Sequence, residues 1–149
     1  MIDPRRGGVI LGSMTDASAL FDDTDACPCG SGQPYGVCCG PLHRGLEQAP
    51  TAERLMRSRY SAYFLGLADY VLTTWASSTR PAELTLATGP TWRRLQIVDT
   101  ADGGPADSAG MVEFRASYRD ADGVGLLHER SRFAREDNRW VYLEGEILD

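Results

Sequence analysis

Residues 111–119 read Met111-Val-Glu-Phe-Arg-Ala-Ser-Tyr-Arg119, with Val112, Phe114, Ala116 and Tyr118 on one parity and Glu113, Arg115 and Arg119 on the other. A strand points successive side chains to opposite faces, so this alternation predicts a sheet with one buried and one wetted face. Just beyond it, Asp122-Gly123 is a hairpin signal leading into a strand over Val124 to Ala134. Arg135 to Asn138 reads as another turn, and Arg139 to Leu148 as the last strand. On the other side, Trp92 to Val98 reads as the first strand, followed by a loop rich in glycine and aspartate over Asp99 to Gly110. The C-terminal half is therefore expected to be a four-stranded antiparallel meander.

Further toward the N-terminus the period changes. Met56, Tyr60, Tyr63, Phe64 and Leu67 fall at i, i+4, i+7, i+8 and i+11, one face of an α-helix. Thr51 is suited to cap it, Glu53 in its first turn complements the helix dipole, and Gly66 sits at its end. Asp69 to Trp75 reads as a second short helix anchored by Tyr70, Val71, Leu72 and Trp75. Pro81 and Pro90 bracket irregular chain around a short helix near Ala82 to Leu86. Two to three helices followed by an antiparallel sheet make an α+β domain over residues 46–149, entered by a connector over 46–50. Residues 1–25, with Asp16, Asp22, Asp23 and Asp25 among small residues, read as a mobile acidic leader, and Met14 is a second candidate start.

Composition narrows the chemistry. The chain has 149 residues, room for one ordinary domain and a small module. Its 15 basic residues are all arginine, which excludes a P-loop lysine and a pyridoxal-phosphate Schiff base. A net charge of -6 disfavours broad nucleic-acid binding. Arg54, Arg57, Arg93, Arg94 and Arg115 are the local exception that could gather into an anion or RNA patch. No apolar run approaches the roughly 18 residues that span a bilayer, and Val9 to Leu11 is too short for a secretory core. A cytoplasmic protein without a membrane partner is expected.

Residues 27–40 hold all four cysteines, Cys27, Cys29, Cys38 and Cys39, in a C-x-C, eight-residue, C-C pattern. Disulfides within either pair are strained; cross-pairing, redox chemistry or free thiols are the alternatives to metal, and a cytoplasmic chain is normally kept reduced. Four thiolates brought together by Gly30, Gly32 and Gly36 suit one zinc ion per chain. Such a shell has no open position, so the zinc is expected to be structural, within a knuckle over residues 26–45.

Cys27-Pro-Cys-Gly-Ser-Gly32 with Cys38-Cys39 resembles the SEC-C motif, the zinc knuckle also found at the C-terminus of the SecA preprotein translocase. Met56-Arg-Ser-Arg-Tyr-Ser-Ala-Tyr63, Asp69-Tyr70 with Thr74-Trp75, and His128-Glu-Arg-Ser-Arg-Phe133 followed by Trp140 are similar to the YchJ family. The resemblance implies a nuclear transport factor 2-like domain, a curved sheet wrapping helices into a cone. It implies fold and metal rather than an activity. In SecA-type knuckles, zinc supports docking to the chaperone SecB or the ribosome with help from basic residues. Here only Arg44 lies close by and the leader is acidic, a departure that puts the transfer of those particular partners in doubt.

A cone encloses a cavity, and polar residues aimed inward are candidates to use it. Glu129 and Ser131 share parity with Leu127 and Phe133. Arg57, Arg59 and the hydroxyls of Tyr60 and Tyr63 are the expected partners of Glu129, and Trp140 is a further pocket candidate. Trp140 and Tyr142 compete with Val141, Leu143 and Ile147 for the inward face. His128 lies on the opposite parity to Glu129, and His43 is expected to be structural. The first functional reading is a non-enzymatic binding or adaptor protein that receives a protein partner through the knuckle. The alternative is a small-molecule binder or enzyme using the cavity around Glu129 with Tyr60 or Tyr63.

Overall fold

The computed structural model describes residues 21–148; residues 1–20, most of the expected leader, and residue 149 lie outside the described residues. A 3₁₀ turn over Tyr35–Val37 leads through Cys38 into helix α1, Cys39–His43. Helices α2, Ala52–Leu65, and α3, Ala68–Thr73, follow, and then strands β1, Thr91–Asp102, β2, Ala109–Asp120, β3, Gly123–Glu136, and β4, Arg139–Ile147. The strands form one antiparallel sheet in the order β1-β2-β3-β4. The α+β meander is therefore present. Val112, Phe114 and Ala116 are buried against α2, as their alternation requires.

Three expectations change. The first strand runs on through Asp102, pairing Thr100 with Val112 and Asp102 with Gly110. Backbone pairing holds this part of the strand, since its exposed side chains carry no apolar alternation to detect. The short helix near Ala82 to Leu86 is absent. Leu84 and Leu86 are the partly buried residues there, and a two-residue spacing puts them on one side of extended chain rather than of a helix. Residues 22–25, assigned to the leader, are held instead against the knuckle. Tyr35 N–H donates to Asp25 O at 2.8 Å, Gly36 N–H donates to Asp23 O at 2.9 Å, and the Asp23 carboxylate pairs with Arg44.

The turns obey local stereochemistry. Asp137 and Asn138, both at positive φ (53° and 67°), make the two-residue β3–β4 hairpin, narrowing the expected turn. Between Arg132 and Phe133 the β3–β4 register shifts: Phe133 faces Tyr142, but Arg132 faces Glu144. The two-residue turn pairs Glu136 with Arg139, which sets Trp140 opposite Arg135 and Tyr142 opposite Phe133 and so turns both inward, while Val141 is buried on the other face. Beyond β4, Thr74 to Ala76 lies alongside it as a parallel bridge, through Tyr142 N–H to Thr74 O (2.8 Å) and Ala76 N–H to Tyr142 O (2.7 Å).

Helix α2 is the hub. Thr51 Oγ1 accepts from Arg54 N–H (3.1 Å), and Ala52 N–H donates to Gly103 O (2.9 Å), so two N-terminal amides find partners. At the other end, Leu67 N–H donates to Ala62 O and Gly66 N–H to Tyr63 O, a Schellman closure with Gly66 at φ 77°. Leu67 thus lies past the helix, and Phe64 is partly exposed, so the apolar stripe expected on α2 is only half correct. The helix is buried nearly all round, with Ser58, Arg59 and Ser61 as inaccessible as Leu55 and Leu65. A Cβ at Gly66 would meet nothing within 4 Å, so only the left-handed backbone disfavours a side chain there. Gly66→Ala should therefore cost about 1–2 kcal/mol in urea unfolding, and Gly66→Asn should recover part of it.

Candidate functional site

Gly30 and Gly32, at φ 78° and 89°, reverse the chain after the first cysteine pair, and Cys38 and Cys39 return on the 3₁₀ turn and the start of α1. All four cysteines are buried, and their sulfurs lie within 4.8 Å of one another. A tetrahedral ion with bonds of about 2.3 Å to sulfur sets its ligands about 3.8 Å apart, and Cys29 and Cys38 Sγ are separated by 3.6 Å. Cys29 is held well below the usual thiol range by hydrogen bonds from Cys27 and Cys39. The same contacts push Cys39 up and, from Cys29, raise Cys27 to about 11. Sulfurs this close cannot all ionise unless a cation sits among them, so the donor set fits a metal ion.

The cluster is backed by side chains that hydrophobic periodicity did not select. Ser61 Oγ donates to Cys39 Sγ at 3.3 Å and lies 3.6 Å from Cys27 Sγ, and Ser31 Oγ lies 3.1 Å from Cys38 Sγ. Arg57 Nη1 donates to Cys29 O (2.9 Å) and Arg54 Nη2 to Cys38 O (3.0 Å). Arg54, Arg57, Ser58 and Ser61 are spaced i, i+3, i+4 and i+7, so one stripe of α2 serves the knuckle. Helical spacing of polar residues was the available signal for it. Arg54 and Arg57, two of the five arginines that could gather into an anion or RNA patch, are bound to knuckle carbonyls instead.

His43 is structural, as expected. Its Nε2 lies 2.8 Å from Ser58 O and must donate there, so Nδ1, 2.6 Å from Tyr35 OH, accepts. Burial pushes this imidazole down to about 4.

The cavity lies on the opposite stripe of α2, formed by Met56, Arg59, Tyr60 and Tyr63, facing Trp75, Trp92 and the inner sheet. Its volume is about 200 Å³, and it opens to solvent on one side. Tyr60, Tyr63, Glu129 and Ser131 line it as expected. Trp140 does not. It is buried nearer the start of α2, where its Nε1–H donates to Pro50 O (3.3 Å) and Arg135 covers its ring, and Tyr142 takes its place in the cavity wall. The partners expected for Glu129 are also different. Its Oε2 accepts from Ser131 Oγ (2.6 Å) and Tyr142 OH (3.3 Å), not from Arg57, Arg59, Tyr60 or Tyr63. A Cβ at Gly145 would collide with this carboxylate, so the missing side chain is what admits it. His128 is on the outer face, 2.7 Å from Glu113, and cannot act with Glu129.

Two measurements check this geometry. Ser61→Ala should leave the fold intact and weaken metal retention about 10-fold or more in a chelator competition, because the group orienting two sulfurs is gone. His43 takes its proton in the unfolded chain near pH 6.5 but in the fold only near 4. Its contribution is therefore fully present above pH 6.5 and lost as pH falls toward 4. His43→Gln should flatten that part of the pH–stability curve relative to the parent.

Two family descriptions match: YchJ, middle NTF2-like domain, over residues 51–145, and the SEC-C motif over residues 24–41. A UPF0225 protein of Streptomyces coelicolor is 55% identical over 126 residues, covering 85% of this chain and 98% of its own length. The solution structure of a SEC-C motif-containing protein from Rhodopseudomonas palustris superposes with a TM-score of 0.73 at 35% identity, covering 84% of this chain and 100% of that one. A crystal structure of a SEC-C motif-containing protein from Psychrobacter arcticus gives 0.70 at 28% identity, covering 87% and 86%. With its cysteine cluster docked on the helix that walls the cavity, the chain belongs to the YchJ (UPF0225) family, a SEC-C motif followed by an NTF2-like domain.

Proposed function

We propose that the four cysteines hold one structural zinc ion per chain and that the protein acts as a binding protein rather than a metalloenzyme. The closed, buried sulfur cluster carries this reading. Zinc accepts a tetrahedral thiolate shell without electronic penalty, and four thiolates leave no position for water or substrate. The ion would brace the knuckle against α2 and supply no chemistry to a reactant. A reducing compartment such as the cytoplasm suits four thiols kept for metal. Among the described residues, no helix is long and apolar enough to cross a membrane. The net charge of -6 argues against a nucleic-acid partner.

The adaptor reading draws support from Val37 and Leu46, which stand 67% and 75% exposed on the knuckle side. Apolar side chains held outward on a rigid metal module suit contact with a protein partner. A second reading, a small molecule in the cavity, is favoured by a different observation. Tyr60 and Trp75 line the cavity, and among the described residues Tyr60 OH and Trp75 Nε1 are buried without a hydrogen-bond partner.

Native mass spectrometry of untagged protein purified gently from its own cells tests both. One zinc per chain is expected, and Cys38→Ser should lower occupancy and stability together. Well under one zinc in reduced protein would refute the metal assignment. Val37→Ser with Leu46→Ser should retain zinc but lose any co-purifying protein, whereas Glu129→Gln should keep it. An added small-molecule mass would favour the cavity.

A further inference from the structure

The cavity holds a buried positive charge that, among the described residues, no carboxylate contacts directly: Glu129, in the same cavity wall, acts on it only through space. Arg59 is 4% exposed. Its Nη1 donates to Val71 O and Thr74 Oγ1, both at 2.7 Å. Its guanidinium carbon lies 5.1 Å from the Trp75 ring centre and 4.7 Å from that of Tyr142. The side chain has five N–H groups and Nη1 supplies two of them. Among the described residues, Nε and Nη2 meet no acceptor and Arg59 makes no ion pair. Buried charges are ordinarily paired, and aromatic faces compensate a cation only in part. Desolvation accordingly lowers the Arg59 pKa.

The other polar groups narrow what could complete the site. Glu129 shares the cavity, and both its hydrogen bonds go to Oε2, leaving Oε1 to accept another. A dianion such as phosphate would be repelled by that carboxylate. A monocarboxylate suits the planar Nε–Nη2 edge, which offers two parallel donors. Trp92, Phe114 and Leu127 make the remaining walls apolar. The volume lies below the roughly 300–1,000 Å³ of drug-sized sites, so the occupant is small.

We propose that the cavity binds a small apolar-bodied monocarboxylate bearing a hydroxyl or amine, with the carboxylate on Arg59 and the donor group on Glu129. This rests on the cavity reading above.

The test titrates full-length, zinc-loaded protein with 4-hydroxybenzoate, benzoate and 4-hydroxybenzamide, following tryptophan indole N–H resonances. Trp75 and Trp92 line the cavity and Trp140 does not, so the third tryptophan is an internal control. Saturable shifts of Trp75 and Trp92 are expected with 4-hydroxybenzoate, with Trp140 unmoved. The amide should bind at least tenfold more weakly, and benzoate several-fold more weakly. Arg59→Gln should abolish carboxylate binding, and Glu129→Gln should erase the preference for the hydroxyl. If Arg59→Gln fails to fold, the carboxylate-to-amide ratio in the unaltered protein decides. Equal binding of acid and amide would overturn the charge assignment while leaving the cavity reading standing. No movement of Trp75 or Trp92 with any probe would overturn both.

Discussion

The contact on which the molecule depends is the docking of Ser61 against the cysteine sulfurs, flanked by Arg54 and Arg57 on the knuckle carbonyls. A serine and two arginines inside a protein are stable only where each donor meets an acceptor. The knuckle supplies those acceptors, and α2 in return supplies the wall that a glycine-rich, coreless segment lacks. The knuckle is therefore part of the domain's packing, covering the side of its main helix that the sheet leaves open. Through α2 the cysteine cluster and the cavity share one rigid element. Arg57 and Arg59 show the division within three residues: one serves the knuckle, the other enters the cavity.

How much of this could be read from the residues follows from the kind of force involved. The alternation of Val112, Phe114 and Ala116 is a burial pattern, and burial is what hydrophobic periodicity reports. The cysteine spacing is a coordination pattern, equally local. Thr51 and Gly66 could be placed because helix ends impose demands on single residues. The phase of α2 was only partly legible, because half its buried surface is a polar interface and Ser58 and Ser61 carry no hydrophobic signal. The continuation of β1 to Asp102 was hidden for a related reason: backbone pairing leaves no mark on exposed side chains.

In the cavity, parity correctly turned Glu129 and Ser131 inward, but direction does not name a partner. Glu129 is held by its own strand neighbour and by Tyr142 across the sheet, both nearer than the helix arginines. Trp140 and Tyr142 share a face yet serve different ends of the domain, one under the start of α2 and the other in the cavity. Their assignment needed the third dimension, as did the parallel bridge of Trp75 that brings a second aromatic ring to Arg59.

The bulge opposite Arg132 and Phe133 has an electrostatic consequence. Along an unbroken β4, Glu144 and Glu146 would share the parity of Tyr142 and point inward. One extra residue reverses the parity, so that Gly145 faces Ser131 while Glu144 and Glu146 pair outside with Arg132 and Arg130. Two further carboxylates beside Glu129 would make the chamber strongly anionic and repel any acid. A single inserted residue thus sets the sign of the potential inside the domain, leaving one acidic group opposite one basic group and a dipolar interior in place of a negative one.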